Sequence, residues 1–89
     1  MKIFKYKLSF ENRTFVRMPE KSEIMDIQMQ DGIPVMWALV DPESREIVVR
    51  INNYGTGIGI HTTATKNEYL ATIQNGDLVH HFFMNYEYE

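Results

Sequence analysis

The chain has 89 residues, a formal net charge of −3, 44% hydrophobic and 24% charged residues, and no cysteine. That length holds one small folded core, and oligomerisation is a natural way for so short a chain to add buried surface. The composition excludes disulfides and thiolate metal sites, the scattered basic residues offer no surface for direct nucleic-acid binding, and no apolar run reaches membrane-spanning length, so a soluble, unprocessed protein away from membranes is expected.

The first strand-like pattern is "KIFKYKLSF", where Phe4, Tyr6, Leu8 and Phe10 alternate with Lys5, Lys7 and Ser9. A period of two lines these aromatics along one face of a strand, whereas helical spacing would scatter them. Glu11-Asn12-Arg13 interrupts the pattern, and "TFVRM" resumes it as a short strand expected to run antiparallel to the first, ended by Pro19.

A hairpin is the clearest local signal. Met25, Ile27 and Met29 alternate with Asp26, Gln28 and Gln30, and Asp31-Gly32 supplies the positive backbone angles of a two-residue turn. The return strand, Ile33 to Val40, is apolar on both faces, which predicts a central strand covered on both sides. Pro34 lacks an amide hydrogen and belongs at the strand's start or at an unpaired position. Asp41-Pro42-Glu43-Ser44 reads as a turn. "REIVVRINN" follows, with Ile47, Val49 and Ile51 opposite Glu46, Val48 and Arg50. "HTTATKN" reads as a loop, and a last hairpin is formed by "EYLATIQ", a turn at Asn75-Gly76, and "DLVHHFFM". The acidic tail, 85–89, reads as frayed.

No stretch carries a helical apolar stripe. The fold class expected is therefore all-β: one domain over residues 1–89, an antiparallel sandwich or small barrel of about seven short strands joined by hairpin turns.

The segment "INNYGTGIGIH" places glycine at 55, 57 and 59. A dinucleotide fingerprint needs a glycine at the position of Ile60 and a helix beyond it, and a P-loop needs a Gly-Lys-Ser/Thr ending, so neither phosphate loop is present. The favoured reading is an extended stretch with one bare face, against which Trp37 or a tyrosine ring packs; the other is a ligand or partner surface.

Chemistry elsewhere is sparse. His80 and His81 are neighbours on a strand, so they point to opposite faces and cannot share one metal ion. Asp31 and Asp41 have turn duties, and Asp26 fits the polar face of its strand. No serine or threonine sits in a nucleophile elbow. No catalytic residue, metal ligand or cofactor is assigned, and the chain is read as not an enzyme. The six methionines are read chiefly as core filling, although methionine also suits surfaces that repack around partners.

"IFKYKL", "VMWALVDPES", "NNYGTG" and "YLATIQNGDLVHHFF" together resemble a family of short phage and prophage proteins. The resemblance covers nearly the whole chain. The sequence departs from it in having Ile58-Gly59 where the family has His-Pro after its Gly-Thr-Gly. The resemblance implies a phage-encoded accessory protein acting in the host bacterial cytoplasm, and it brings no catalytic residues to carry over.

The function expected is binding to a host bacterial protein to inhibit or modulate it, as in counter-defence. Contact residues would be Trp37, Asn53, Tyr54, Gly55, Thr56, Gly57, His61, Tyr86 and Tyr88. One alternative is a protein that sequesters a small signalling nucleotide, with Asn52, Asn53, Tyr54 and Thr56 in its polar lining. Another is a structural or assembly protein of the virion.

Overall fold

The computed structural model describes residues 1–60 and 67–85. Seven strands are present among them: β1 Lys2–Lys7, β2 Arg13–Pro19, β3 Glu23–Gln30, β4 Ile33–Val40, β5 Glu46–Gly55, β6 Asn67–Asn75 and β7 Leu78–Asn85. They form two antiparallel sheets, one in the order β1-β4-β3 and the other β2-β5-β7-β6. The sheets face each other as a sandwich, so the twofold sorting of side chains has the consequence expected of it: each strand gives one face to a shared core.

That core contains Met18, Val16, Val49, Ile51, Ile73, Phe82 and Met84 from the four-stranded sheet, and Ile27, Met36, Ala38 and Val40 from the three-stranded one. Leu8, just beyond β1, joins them. Methionine fills irregular gaps between twisted sheets well. Four of the six methionines are packed in or against this core, namely Met18, Met29, Met36 and Met84.

The turns follow their local chemistry. Asp31 and Gly32 have φ of 52° and 82°, the left-handed pair that lets a two-residue loop match the twist of β3 and β4. Asp41 accepts the Glu43 N–H at 3.0 Å on its carboxylate, and its carbonyl accepts the Ser44 N–H at 3.0 Å. The β6–β7 hairpin closes one residue later than the sequence suggests, because Asn75 pairs with Leu78 and the loop is Gly76-Asp77. Pro34 is second in β4, where it costs the ladder least, and its carbonyl accepts the Leu8 N–H at 2.9 Å.

Several expectations are corrected. β2 does not pair with β1. Leu8 leaves the first sheet with its side chain buried, and residues 9–12 carry the chain across to the second sheet, where β2 pairs with β5. A hydrogen bond of 2.9 Å between the Ser9 and Thr14 hydroxyls ties that crossing together. Asn85 is not part of a frayed tail: it lies in β7 and is 1% exposed. Residues 86–89, with Tyr86 and Tyr88, lie outside the described residues, as do 61–66 with His61.

β4 is central, as its composition implies, but its two faces differ. Met36, Ala38 and Val40 are wholly buried in the core, while Trp37 and Leu39 on the other face are only half-buried. Met25 also departs from its expected place. A bulge between Ile24 and Asp26 inserts one residue opposite β4, which turns Ile24 inward and leaves Met25 55% exposed.

Two outcomes follow from this packing. Phe82 is 1% exposed at the centre of the core, so Phe82→Ala is expected to cost roughly 3–5 kcal/mol in urea unfolding. The Tyr6 phenol is raised above its ordinary 10.0, first by partial burial and then by the nearby Glu46 carboxylate. The folded state thus holds this proton more tightly than the unfolded chain. The associated stability is complete below the ordinary tyrosine value and is lost as pH rises from there through the raised one. Unfolding midpoints measured up the alkaline limb should therefore fall less steeply for Tyr6→Phe than for the parent.

Candidate functional site

Among the sequence-predicted residues the structure brings Asn53, Tyr54, Gly55 and Thr56 together at the end of β5, beside the two histidines of β7. Tyr54 pairs with His81, and Gly55 with His80. Trp37 is not part of this group, because it lies on the outer face of the other sheet.

Asn53 points into the sandwich. Its amide donates to the Phe10 carbonyl at 3.0 Å and contacts His80 Nδ1 at 3.1 Å. The Asn53 N–H donates to the Asn12 carbonyl at 2.9 Å. The His80 ring lies on Phe10 with centroids 4.6 Å apart. Asn53 and His80 therefore clamp the 8–12 crossing onto β5 and β7. The Asn53 side chain is engaged in these internal hydrogen bonds.

The outward face differs in character. Thr56 and Thr72 hold His81 from both sides: Thr56 Oγ1 lies 2.7 Å from Nε2, and Thr72 Oγ1 lies 3.0 Å from Nδ1. Thr72 Oγ1 is in turn 2.7 Å from the Tyr69 hydroxyl. Phe83 sits at the centre of the rings, edge-on to Tyr54 at 5.7 Å and to Tyr69 at 5.5 Å. The result is a cluster of three rings, one imidazole and two threonines across three strands, each member locked by its neighbours.

Toward β2 the same face becomes basic. Register places Arg13 opposite Asn52, Phe15 opposite Arg50 and Arg17 opposite Val48. Arg17 lies 3.9 Å from Glu46 in an exposed pair, and Arg50 Nε is enclosed with no hydrogen-bond partner. Phe15 is 53% exposed. On a chain of net charge −3, three arginines on one face concentrate positive charge there.

Thr56 and His81 are the nearest approach to a hydroxyl–base pair in this cluster. The chain of groups behind His81 ends in a phenol, where a hydrolytic triad places a carboxylate to steady the imidazolium. Among the described residues, no group of three or more His, Asp or Glu stands close enough to hold a metal ion. The arrangement offers ring faces, hydroxyls and guanidinium groups for contact.

Sequence reasoning missed Tyr69 and Thr72. Strict alternation puts Tyr69 with Ala71 and Ile73 on the core face, but a bulge between Tyr69 and Ala71 shifts the register. Tyr69 then shares the outer face with Thr72, three residues on. A bulge leaves no reliable mark in a single sequence.

The glycine segment is also corrected. It does not continue as an extended strand with a bare face. β5 ends at Gly55, the Ile58 N–H donates to the Gly55 carbonyl at 3.2 Å, and Gly57 has φ of 86°. Among the described residues, no ring or neighbouring strand packs on these glycines: a Cβ at 57 or 59 would meet nothing within 4 Å, and one at 55 would meet only Ile58 Cγ1 at 3.5 Å. The need at Gly57 is conformational. Gly57→Val should fold with the same circular dichroism but lose about 1–2 kcal/mol in urea unfolding, the strain of a side chain in left-handed backbone.

No helix among the described residues is long and apolar enough to cross a membrane. No curated protein and no solved structure matches the chain. A family match covers residues 1–89, and the chain belongs to the family described as Domain of unknown function (DUF7352).

Proposed function

We propose that this protein works by stoichiometric binding: a phage-encoded accessory protein that engages a host bacterial protein in the cytoplasm and modulates it, without making or breaking bonds. The observation that carries this reading is the interlocked cluster of Tyr54, Tyr69, Thr72, His81 and Phe83 beside three arginines. Rings already fixed on a sheet lose little freedom on binding, so more of their contact energy appears as affinity. Tyrosine and arginine are also the residues that most often dominate protein interfaces. The charge of the face favours an acidic partner surface.

One observation favours a second reading, sequestration of a small nucleotide. Arg50 Nε is an unused donor, and its cross-strand partner is Phe15. A guanidinium near an aromatic ring suits a phosphate and a base.

The test is capture from host extract with the tagged protein, followed by titration against the purified partner. One partner bound in a one-to-one ratio is expected, with Tyr69→Ala and Arg13→Glu each weakening it at least tenfold, a loss of about 1.4 kcal/mol, while thermal melts stay close to the parent. Failure to capture a partner, or capture indifferent to both substitutions, sinks the reading. Thermal stabilisation by nucleotides alone, abolished by Arg50→Ala, would move the assignment to the second.

A further inference from the structure

The geometry points to a two-fold dimer of this chain, formed face to face through the outer surface of the three-stranded sheet. This surface lies on the opposite side of the sandwich from the cluster described above. Its failure or success is therefore independent of the binding function.

Register defines the surface. Along β4 run Ile33, Val35, Trp37 and Leu39. Ile3, Lys5 and Lys7 flank them on β1, and Glu23, Asp26, Gln28 and Gln30 flank them on β3. Val35 is 1% exposed although it faces outward. The Lys5 ammonium donates to Gln30 Oε1 at 3.0 Å, and since Lys5 stands opposite Trp37 and Gln30 opposite Ile33, this bond crosses β4 above Val35. Beyond that strap the surface is open. Ile3, Met25, Asp26, Gln28 and Trp37 line a trough of about 380 Å³, and Ile3 and Met25 are 57% and 55% exposed. The bulge in β3 is what lifts Met25 out of the core onto this rim.

The charges around the trough are arranged with opposite signs on opposite edges: lysines on β1, carboxylates on β3. With the strands of the two copies aligned, two ways of stacking this face on a second copy keep a two-fold axis in the interface. An axis running across the strands sets β1 over β1, which opposes lysine to lysine. An axis running along β4 sets β1 of each copy over β3 of the other. Lys5 then faces the second copy's Asp26 twice, Trp37 meets its own equivalent on the axis, and Met25 projects toward Ile3 of the opposite copy. Isologous contact requires this self-complementarity, and only the second arrangement supplies it.

The groups have capacity left for the contact. The Lys5 ammonium has three donors and uses one. Asp26 accepts the Ile27 N–H at 2.8 Å and the Gln28 amide at 2.6 Å, leaving acceptor sites free on both oxygens. Three strands of this length present a face of roughly 25 Å by 14 Å. That is about 350 Å² on each copy, below the size of standard specific interfaces, so a weak, transient dimer is expected rather than an obligate one.

Sedimentation velocity over about 5 to 500 μM tests the proposal. The parent should shift from monomer to dimer across this range. Lys5→Glu alone and Asp26→Lys alone should each remain monomeric, since each sets like charges against one another at both contacts between positions 5 and 26. Mixed in equal amounts, these two variants should form a heterodimer, because each new pair then has opposite signs. Met25→Lys, an exposed change that leaves the Asp26 hydrogen bonds in place, should abolish dimerisation at unchanged thermal stability. A parent that stays monomeric throughout, single-charge variants that dimerise as the parent does, or a mixture that stays monomeric would each overturn the proposal.

Discussion

Seven short strands can bury their apolar sides in only one place, the layer between two sheets, and this requirement governs the rest of the molecule. Met18, Met36, Phe82 and Met84 lie at or below 2% exposure in that layer. A strand has no third direction in which to point a side chain. Whatever the core takes on one face, solvent receives on the other, and both outer surfaces of the sandwich follow from that division.

Two bulges modify the division. One lies in β3, between Ile24 and Asp26, and the other in β6, between Tyr69 and Ala71. β3 and β6 are also edge strands of their sheets, and they approach each other closely. Each bulge admits an additional apolar residue to the interior or its margin, Ile24 in one strand and Leu70 in the other, both packed against the core. Each also turns a large side chain outward, Met25 and Tyr69 respectively. Core filling and surface chemistry are thus coupled at the same two points. The molecule is a slab with extents of 40, 34 and 16 Å, and its two broad faces carry different chemistry, rings and arginines on one and an apolar trough between opposite charges on the other.

Much of the architecture is legible in the residues. Alternation gives the strands, Asp31-Gly32 gives a hairpin, and the doubly apolar stretch from Val35 to Val40 gives a central position. The opposite facing of His80 and His81 follows from adjacency alone. The sheet partners are less legible, because β1 and β2 are neighbours in sequence yet belong to different sheets, and nothing in residues 9–12 announces a crossing instead of a hairpin. The candidate site is partly legible. Tyr54 and Thr56 lie against Phe83 and His81 in the ring cluster, while Asn53 is engaged by the interior through the Phe10 carbonyl. Tyr69 and Thr72 are hidden by a bulge that strict periodicity does not anticipate. The glycines mislead in another way, since alternate spacing suggests an extended run where Gly57 in fact reverses the chain.

The pairing of β1 with β4, and of β2 with β5, has a consequence for how the molecule assembles. Lys2 finds its partner at Val40 and Arg13 finds its partner at Asn52, whereas β3–β4 and β6–β7 are hairpins that close over two-residue loops. Closing a long loop costs more chain entropy than closing a short one, and distant pairings slow the search. During synthesis β1 and β2 must therefore wait, unpaired, until chain made well after them has emerged. The Lys5 and Lys7 charges on β1 are well placed for that interval, because like charges on a solitary strand discourage it from adding to the edge of another molecule.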